Sequence, residues 1–146
     1  MDEQKSNTSH FAAAVILVVD DDPVQRDILQ IILSDEGYQT HAASSAEEAL
    51  KMAKTLKPDV VLTDLRMHKM NGIELMEKLR SQADAPVVII MSASGLPRII
   101  DESVGKGAFS FMIKPLDIPQ LVLNINRALE IAARLKYPGQ RSQRLY

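Results

Sequence analysis

The sequence predicts an α/β domain built on a single doubly wound, five-stranded parallel sheet flanked by five helices. Short runs rich in Val and Ile, typical of strands buried on both faces, alternate five times with segments of helical period. The length of 146 residues suits one domain with one core. Right-handed crossovers between parallel strands leave few topologies, and the doubly wound sheet is the simplest of them.

The strand predictions follow from the apolar runs. The predicted strands are Val15–Val19, Val60–Thr63 and Val87–Met91, with weaker candidates at Tyr38–Ala42 and Phe109–Ile113. They are separated by segments with a helical period, as repeated strand–helix units require.

The first helix is predicted over Val24–Ser34. Within it, Ile28, Ile31 and Ile32 fall on one apolar stripe, which is the pattern of an amphipathic helix. Gly37 lies just beyond and provides a stop signal.

The remaining helices are predicted from their starts and their periodicity. Ser44 and Glu47 form a possible capping box before the second helix, and Asn71 with Glu74 repeats this logic before the third. Residues 97–105 have only a weak helical pattern because the segment is short and bounded by glycines. The long final helix is marked by apolar residues at helical spacing, namely Ile118, Leu121, Val122, Ile125, Leu129 and Ala132.

Composition excludes several classes of protein. The net charge of −2 and the pI near 5.9 lack the basic excess of a general nucleic-acid binder. The absence of cysteine excludes disulfides, thiolate catalysis and cysteine metal sites. The apolar run Phe11–Val19 is too short to span a bilayer, and it ends in three aspartates rather than at a cleavage site. We expect a cytoplasmic protein without membrane segments, with residues 1–13 a disordered leader, 14–135 the folded domain and 136–146 a tail or linker.

Polar side chains follow four of the predicted strands. Asp20 and Asp21 follow the first predicted strand, Asp64 the third, Ser92 the fourth and Lys114 the fifth. Ligands of doubly wound sheets bind at the carboxyl ends of the strands, near the point where the strand order reverses. We therefore expect these five side chains to converge in one shallow pocket.

Three carboxylates in one pocket require a cation. Two unit charges about 4 Å apart repel by roughly 4 kcal/mol at an effective dielectric constant of 20, and Lys114 alone does not cancel three of them. A hard divalent ion with oxygen ligands does, and Mg²⁺ is the usual choice beside phosphates. Asp64 would then be a nucleophile that forms an acyl phosphate, with Lys114 and Ser92 binding other phosphoryl oxygens.

Each of these residues alone has an ordinary explanation. An aspartate after a strand is most often a helix cap, as Asp22 before Pro23 suggests, and a single lysine or serine there is usually solvated. Their joint occurrence at the ends of four strands favours phosphoryl transfer.

The motifs resemble those of response-regulator receiver domains, which have a flavodoxin-like fold. The resemblance covers about residues 15–135. The matching segments are Ile16–Pro23, Asp64–Met67, Met70–Gly72, Ser92–Ala93 and Lys114–Pro115.

The resemblance implies a role for each matching residue. Asp64 would be the phosphoacceptor, Asp20 and Asp21 the acidic pair that binds Mg²⁺, and Arg66 the source of a backbone carbonyl ligand to the metal. Ser92 stands at the family's Ser or Thr that contacts the phosphoryl group. Phe111 stands at the family's aromatic switch residue, although from its spacing alone it could equally be a core residue. The family usually has a cis bond at the Lys114–Pro115 step.

The same resemblance implies partners. The phosphoryl donor would be a sensor histidine kinase or a histidine phosphotransfer protein, and the chain would be a signalling domain rather than an enzyme acting on other substrates. The fourth helix, fifth strand and fifth helix, roughly residues 97–135, would form the output face and a possible homodimer interface. An output domain would either follow or be absent, and neither nucleic-acid binding by this domain nor membrane association is expected.

Two departures and two alternatives remain. His68 stands where the family commonly has proline, and Gly95-Leu96-Pro97 makes the start of the fourth helix uncertain. A phosphohydrolase of the haloacid-dehalogenase type would use Asp20 and Asp22 instead, but this sequence has no cap insertion that would enclose a substrate. A receiver-like docking module without phosphorylation is the third possibility.

Overall fold

In a computed structural model of the chain, residues 14–136 are described, and they form five strands and five helices. The strands are β1 (Val15–Val19), β2 (Gln39–Ala43), β3 (Val60–Asp64), β4 (Val87–Ser92) and β5 (Ser110–Ile113). The helices are α1 (Pro23–Asp35), α2 (Ala46–Leu56), α3 (Gly72–Arg80), α4 (Pro97–Gly105) and α5 (Ile118–Lys136).

The sheet is entirely parallel, with the strand order β2-β1-β3-β4-β5. The predicted fold class is therefore confirmed. The order reverses between β1 and β3, because β2 lies on one side of β1 and every later strand lies on the other. This switch point is where such sheets bind ligands.

Alternating side chains of the strands build two cores, one on each face of the sheet. On one face, Ile16 and Val18 pack with residues of α1 and α5; on the other, Leu17 and Val19 pack with residues of α2 and α3. Strands covered on both faces are apolar at nearly every position, which explains why the apolar runs predicted them well.

The predicted apolar stripe of α1 is wrong. Leu29 and Leu33 face the core, whereas Ile28 and Ile31 are 51% and 62% exposed and Ile32 is only half-buried. Helical spacing allowed either set to face the sheet. The solvent side of α1 consequently carries exposed apolar side chains among its polar ones.

The predicted capping box of α2 is displaced by one residue. Ser45, not Ser44, is the N-cap, and its hydroxyl accepts a hydrogen bond from the amide of Glu48. The Glu48 carboxylate in turn accepts hydrogen bonds from the amide and hydroxyl of Ser44. Both Ser44-x-x-Glu47 and Ser45-x-x-Glu48 fit the motif, so the sequence alone does not distinguish them.

The other helix ends agree with the sequence. Asn71 and Glu74 form a complete capping box at α3, and Gly37 has a positive φ of 98° just beyond α1. The weakly predicted helix α4 begins after Leu96 without a side-chain cap. None of the helices within residues 14–136 has the length and apolar character needed to span a lipid bilayer. The predicted leader and the tail after Lys136 lie outside the described residues and stay predictions.

Candidate functional site

Strand register brings Asp20 and Asp64 together at the switch point. Val19 of β1 pairs with Thr63 of β3, so the next residue on each strand is an aspartate. Asp21 follows directly. Carboxylate oxygens of Asp20, Asp21 and Asp64 all lie within 4.8 Å of one another.

Burial and mutual repulsion make this cluster electrostatically costly. Asp20 is fully buried, and the side chain of Asp64 is only 14% exposed. Two unit charges about 5 Å apart repel by roughly 3 kcal/mol at an effective dielectric constant of 20. Burial, followed by the charges of Asp20 and Asp21, raises the pKa of Asp64 above its ordinary value, and Lys114 offsets part of that rise.

Lys114 bridges two of the carboxylates. Its Nζ atom lies 3.2 Å from Oδ2 of Asp20 and 3.2 Å from Oδ2 of Asp64. The backbone places it there because Ile113 pairs with Ser92 and the Lys114 amide donates a 2.8 Å hydrogen bond to the Ser92 carbonyl. Three carboxylates minus one ammonium leave a charge of −2, the charge that one divalent cation balances.

The donor set fits a hard divalent cation. Carboxylate oxygens are the ligands that Mg²⁺ prefers, and it binds through one or two of them while retaining waters. Arg66 lies in the loop directly after β3, and its side chain is exposed. A guanidinium is a cation without an acceptor atom, so the backbone carbonyl is the only group that Arg66 offers to such an ion.

Ser92 ends β4, and Phe111 lies on the neighbouring strand β5, where it pairs with Ile90. Ser92 is 1% exposed, and its hydroxyl oxygen accepts a hydrogen bond from the amide of Ser94, so its proton is free for another acceptor. Phe111 is half-buried and packs against the core formed with α2 and α3. The Lys114–Pro115 bond is cis, which confirms that expectation.

The first turn of α1 contains a residue, Arg26, that the sequence pattern did not single out. Arg26 of α1 donates a 2.8 Å hydrogen bond from Nη1 to the carbonyl of Asp20, and the amide of Asp22 donates to Oδ1 of Asp20 at 2.9 Å. The carboxylate of Asp22 accepts a hydrogen bond from Val24 as the cap of α1, as predicted, and it does not belong to the acidic cluster. The sequence offers one signal for the contact made by Arg26, namely a basic residue one turn into the helix that follows an acidic pair.

The loop between β3 and α3 contains the departure at His68. His68 is exposed, its carbonyl accepts a hydrogen bond from the amide of Met70, and Lys69 between them has a positive φ of 70°. The loop closes where the amide of Gly72 donates to the carbonyl of Leu65 at 2.8 Å.

Comparison with known proteins identifies relatives of this arrangement. A family model described as the response regulator receiver domain matches residues 16–126. The regulatory protein AtoC of Escherichia coli is 36% identical over 121 residues, which cover 83% of this chain and 26% of that protein. Sporulation initiation phosphotransferase F of Bacillus subtilis is 37% identical over 106 residues, which cover 73% of this chain and 86% of that protein.

Solved structures agree with the sequence comparison. A response regulator receiver domain protein from Clostridium thermocellum superposes with a TM-score of 0.79 at 28% identity, covering 84% of this chain and 98% of that one. The chain thus spans about a quarter of AtoC but most of the length of the shorter relatives.

Proposed function

The chain belongs to the family of response-regulator receiver domains of two-component signalling, and on that premise we propose that it accepts a phosphoryl group on Asp64. The observation that carries the proposal is the meeting of Asp20, Asp21, Asp64 and Lys114 at the switch point of the sheet.

Asp64 is the nucleophile of the proposed transfer. A carboxylate oxygen of Asp64 forms a bond to phosphorus while the bond from phosphorus to a donor histidine nitrogen breaks, which leaves an acyl phosphate and a neutral imidazole after protonation. Asp64 is partly exposed and Asp21 is exposed, whereas Asp20 is fully buried. Of the two accessible carboxylates, Asp64 is the one that forms an ion pair with Lys114, at 3.2 Å. The domain itself would catalyse this transfer and the later hydrolysis of the acyl phosphate, in which water takes the phosphoryl group, inorganic phosphate leaves and the Asp64 carboxylate is restored. We propose no enzymatic activity on other substrates.

Asp20, Asp21, Asp64 and the backbone carbonyl of Arg66 would hold Mg²⁺. Bound there, Mg²⁺ neutralises negative charge on the cluster and on the phosphoryl oxygens. Asp22 supports the set indirectly because its amide fixes Oδ1 of Asp20.

Lys114 and Ser92 bind the phosphoryl oxygens in this proposal. The ammonium of Lys114 already lies 3.2 Å from Asp64, so it is close enough to bind an oxygen of a phosphoryl group attached to that carboxylate. The hydroxyl of Ser92 has a free proton to donate. Phe111, half-buried on the strand next to Ser92, is the residue whose packing would change when Ser92 moves toward the phosphoryl group.

Phosphorylation would then change the surface formed by α4, β5 and α5. This surface exposes apolar side chains that a partner or a second copy of the chain would cover. They are Leu96, Val104, Ile113, Ile118 and Leu123. We propose this face as the output and homodimer interface, and we propose that the protein works in the cytoplasm without itself binding nucleic acid.

The donor is a sensor histidine kinase or a histidine phosphotransfer protein. A protein donor must bring its phosphohistidine to Asp64 and therefore covers the rim of the pocket. The exposed apolar side chains Val24, Ile28 and Ile31 form a stripe along α1 that starts two residues after Asp22. We propose this stripe as part of the donor's contact surface.

Relatives such as AtoC are much longer than this chain. In a protein of that length, we propose that an output domain follows the receiver domain. Sporulation initiation phosphotransferase F, which this chain covers almost completely, represents the alternative of a receiver that acts alone.

A mass measurement tests the proposed function. Incubation with acetyl phosphate and Mg²⁺ is expected to add one phosphoryl group to the chain, and EDTA is expected to prevent the addition. An unchanged mass under conditions in which another receiver domain is modified would contradict the proposal and favour a docking module.

A further inference from the structure

The backbone carbonyl of Asp64 is held from two sides. Thr63 is fully buried although it is polar, and its hydroxyl donates a 2.9 Å hydrogen bond to this carbonyl. Gly72, in the first turn of α3, packs on the same carbonyl. A Cβ atom at Gly72 would lie 2.5 Å from the Asp64 oxygen and 3.2 Å from Cα of Leu65, closer than van der Waals contact allows.

The next peptide is fixed as well. The amide of Leu65 donates to the carbonyl of Met91 on β4 at 2.8 Å, and the carbonyl of Leu65 accepts from the amide of Gly72 at 2.8 Å. The capping box of Asn71 fixes the turn in which Gly72 lies. The main chain on both sides of the Asp64 side chain is therefore tied to β3, β4 and α3.

We infer that Thr63 and Gly72 are positioning residues that set the direction of the Asp64 carboxylate, and this inference rests on the proposed function. The Asp64 side chain is short, so a displacement of its backbone carries over almost undiminished to its oxygens. An in-line transfer depends on that position, and a misplacement of about 1 Å costs on the order of a hundredfold in rate.

A purely structural role for the Thr63 hydroxyl predicts something different. The hydroxyl would then only satisfy a polar group in the core, and its loss would lower stability without changing the reactivity of folded molecules. The rate of phosphorylation per folded molecule therefore separates positioning from packing.

The experiment compares Thr63→Val, Thr63→Ser, Gly72→Ala and Gly105→Ala with the wild type. The serine variant keeps the donor that the valine variant removes. Gly105 is a matched control because an added Cβ there meets no atom within 4 Å. The phosphorylation rate constant with acetyl phosphate is measured by intact mass at saturating Mg²⁺ and divided by the folded fraction, and the Kd for Mg²⁺ is measured by calorimetry.

We expect Thr63→Val to be about tenfold slower and Gly72→Ala about tenfold to a hundredfold slower, with Thr63→Ser within threefold and Gly105→Ala within twofold of the wild type. The Kd for Mg²⁺ is expected to rise in Thr63→Val as well, because Asp64 belongs to the proposed metal site and ends β3 directly after Thr63. Each rate is therefore measured at a Mg²⁺ concentration that saturates that variant. If Gly72→Ala does not fold, the two Thr63 variants decide. Equal rates for the valine and serine variants, or wild-type rates in Thr63→Val and Gly72→Ala, would overturn the inference. Failure of the wild type to become phosphorylated on Asp64 would instead overturn the proposed function, and the inference with it.

Discussion

The ammonium of Lys114, which follows β5, lies 3.2 Å from a carboxylate oxygen of Asp64, which ends β3. The strand β4 lies between these two strands in the sheet. Lys114 reaches across the end of β4 and also contacts Asp20 beyond Asp64, at the same distance. It therefore occupies oxygen atoms that a divalent cation would share. Lys114 and a bound cation stabilise the same carboxylates, so replacing Lys114 should change the Mg²⁺ affinity and the phosphorylation rate in different ways.

Replacing Lys114 with Met should separate metal binding from phosphoryl transfer. The Mg²⁺ affinity should be at least that of the wild type, because a competing positive charge is gone. The phosphorylation rate should fall by about a hundredfold, because one donor to the phosphoryl oxygens is lost. Calorimetric Mg²⁺ titration and intact mass after acetyl phosphate treatment measure the two effects. Lys106→Met is the control, since Lys106 forms only exposed ion pairs with Glu77 and Glu102. A tenfold loss of Mg²⁺ affinity in Lys114→Met would show that the lysine supports the metal site instead of competing with it.

Asp64→Asn should stabilise the metal-free protein at neutral pH. The pKa of Asp64 is raised in the folded state, first by burial and then by the neighbouring carboxylates, so its ionised form disfavours folding. The loss of unfolding free energy caused by ionised Asp64 is absent at pH values below the ordinary carboxyl pKa. This loss grows as the pH rises through the higher pKa of the folded state. We expect Asp64→Asn to raise the Tm by several degrees at pH 7 in EDTA, with a smaller rise as the pH approaches 4.

The control for this measurement is Asp84→Asn, because Asp84 is exposed and contacts only Lys57, at 3.8 Å. A lower Tm for Asp64→Asn at pH 7 would mean that the ion pair with Lys114 outweighs burial and repulsion.

Substitutions in the α1 stripe should slow a protein donor but not a small one. Ile28 and Ile31 are exposed and contribute little to the core, so the double change to serine should leave the fold and the acetyl phosphate rate intact. Transfer from a histidine kinase that phosphorylates the wild-type chain should slow about tenfold. Leu135→Ser is the control, because Leu135 is 70% exposed near the end of α5. Equal slowing by the stripe and control variants would exclude a specific contact.

Tyr38→Phe should weaken the link between the α1–β2 turn and α5. The hydroxyl of Tyr38, which precedes β2, donates a hydrogen bond to Oδ1 of Asn126 on α5, and Tyr38 is 4% exposed. Loss of this bond should cost about 1 kcal/mol of unfolding free energy in urea. Burial and then the charge of Glu36 raise the pKa of Tyr38 to about 12, so the wild type should also lose stability as the pH rises from about 10 toward 12.

The variant should lack this alkaline loss. A parallel loss of stability in both proteins over that pH range would show that groups other than Tyr38 are responsible.

The sequence predicted the parts of the site that depend on strand ends. Runs such as Val60–Thr63 are followed directly by a charged residue, and parallel pairing brings such ends to one edge of the sheet. The meeting of Asp20 with Asp64 and Lys114 follows from that topology without any knowledge of side-chain geometry.

The errors arose where two solutions satisfied the same pattern. Ile28 with Ile31 and Leu29 with Leu33 give equally good helical stripes, and only packing on the sheet selects the leucines. Contacts between backbone atoms distant in sequence leave no pattern at all, as the packing of Gly72 on the Asp64 carbonyl illustrates.

The central claim is that Asp64 is the residue that accepts the phosphoryl group. Borohydride reduces an acyl phosphate of aspartate to homoserine, so treatment after incubation with acetyl phosphate and Mg²⁺ marks the acceptor, and fragment masses locate it. We predict homoserine at position 64 in the wild type and none in Asp64→Asn. Homoserine at position 20, with Asp64→Asn still modified, would contradict the account and indicate the phosphohydrolase alternative.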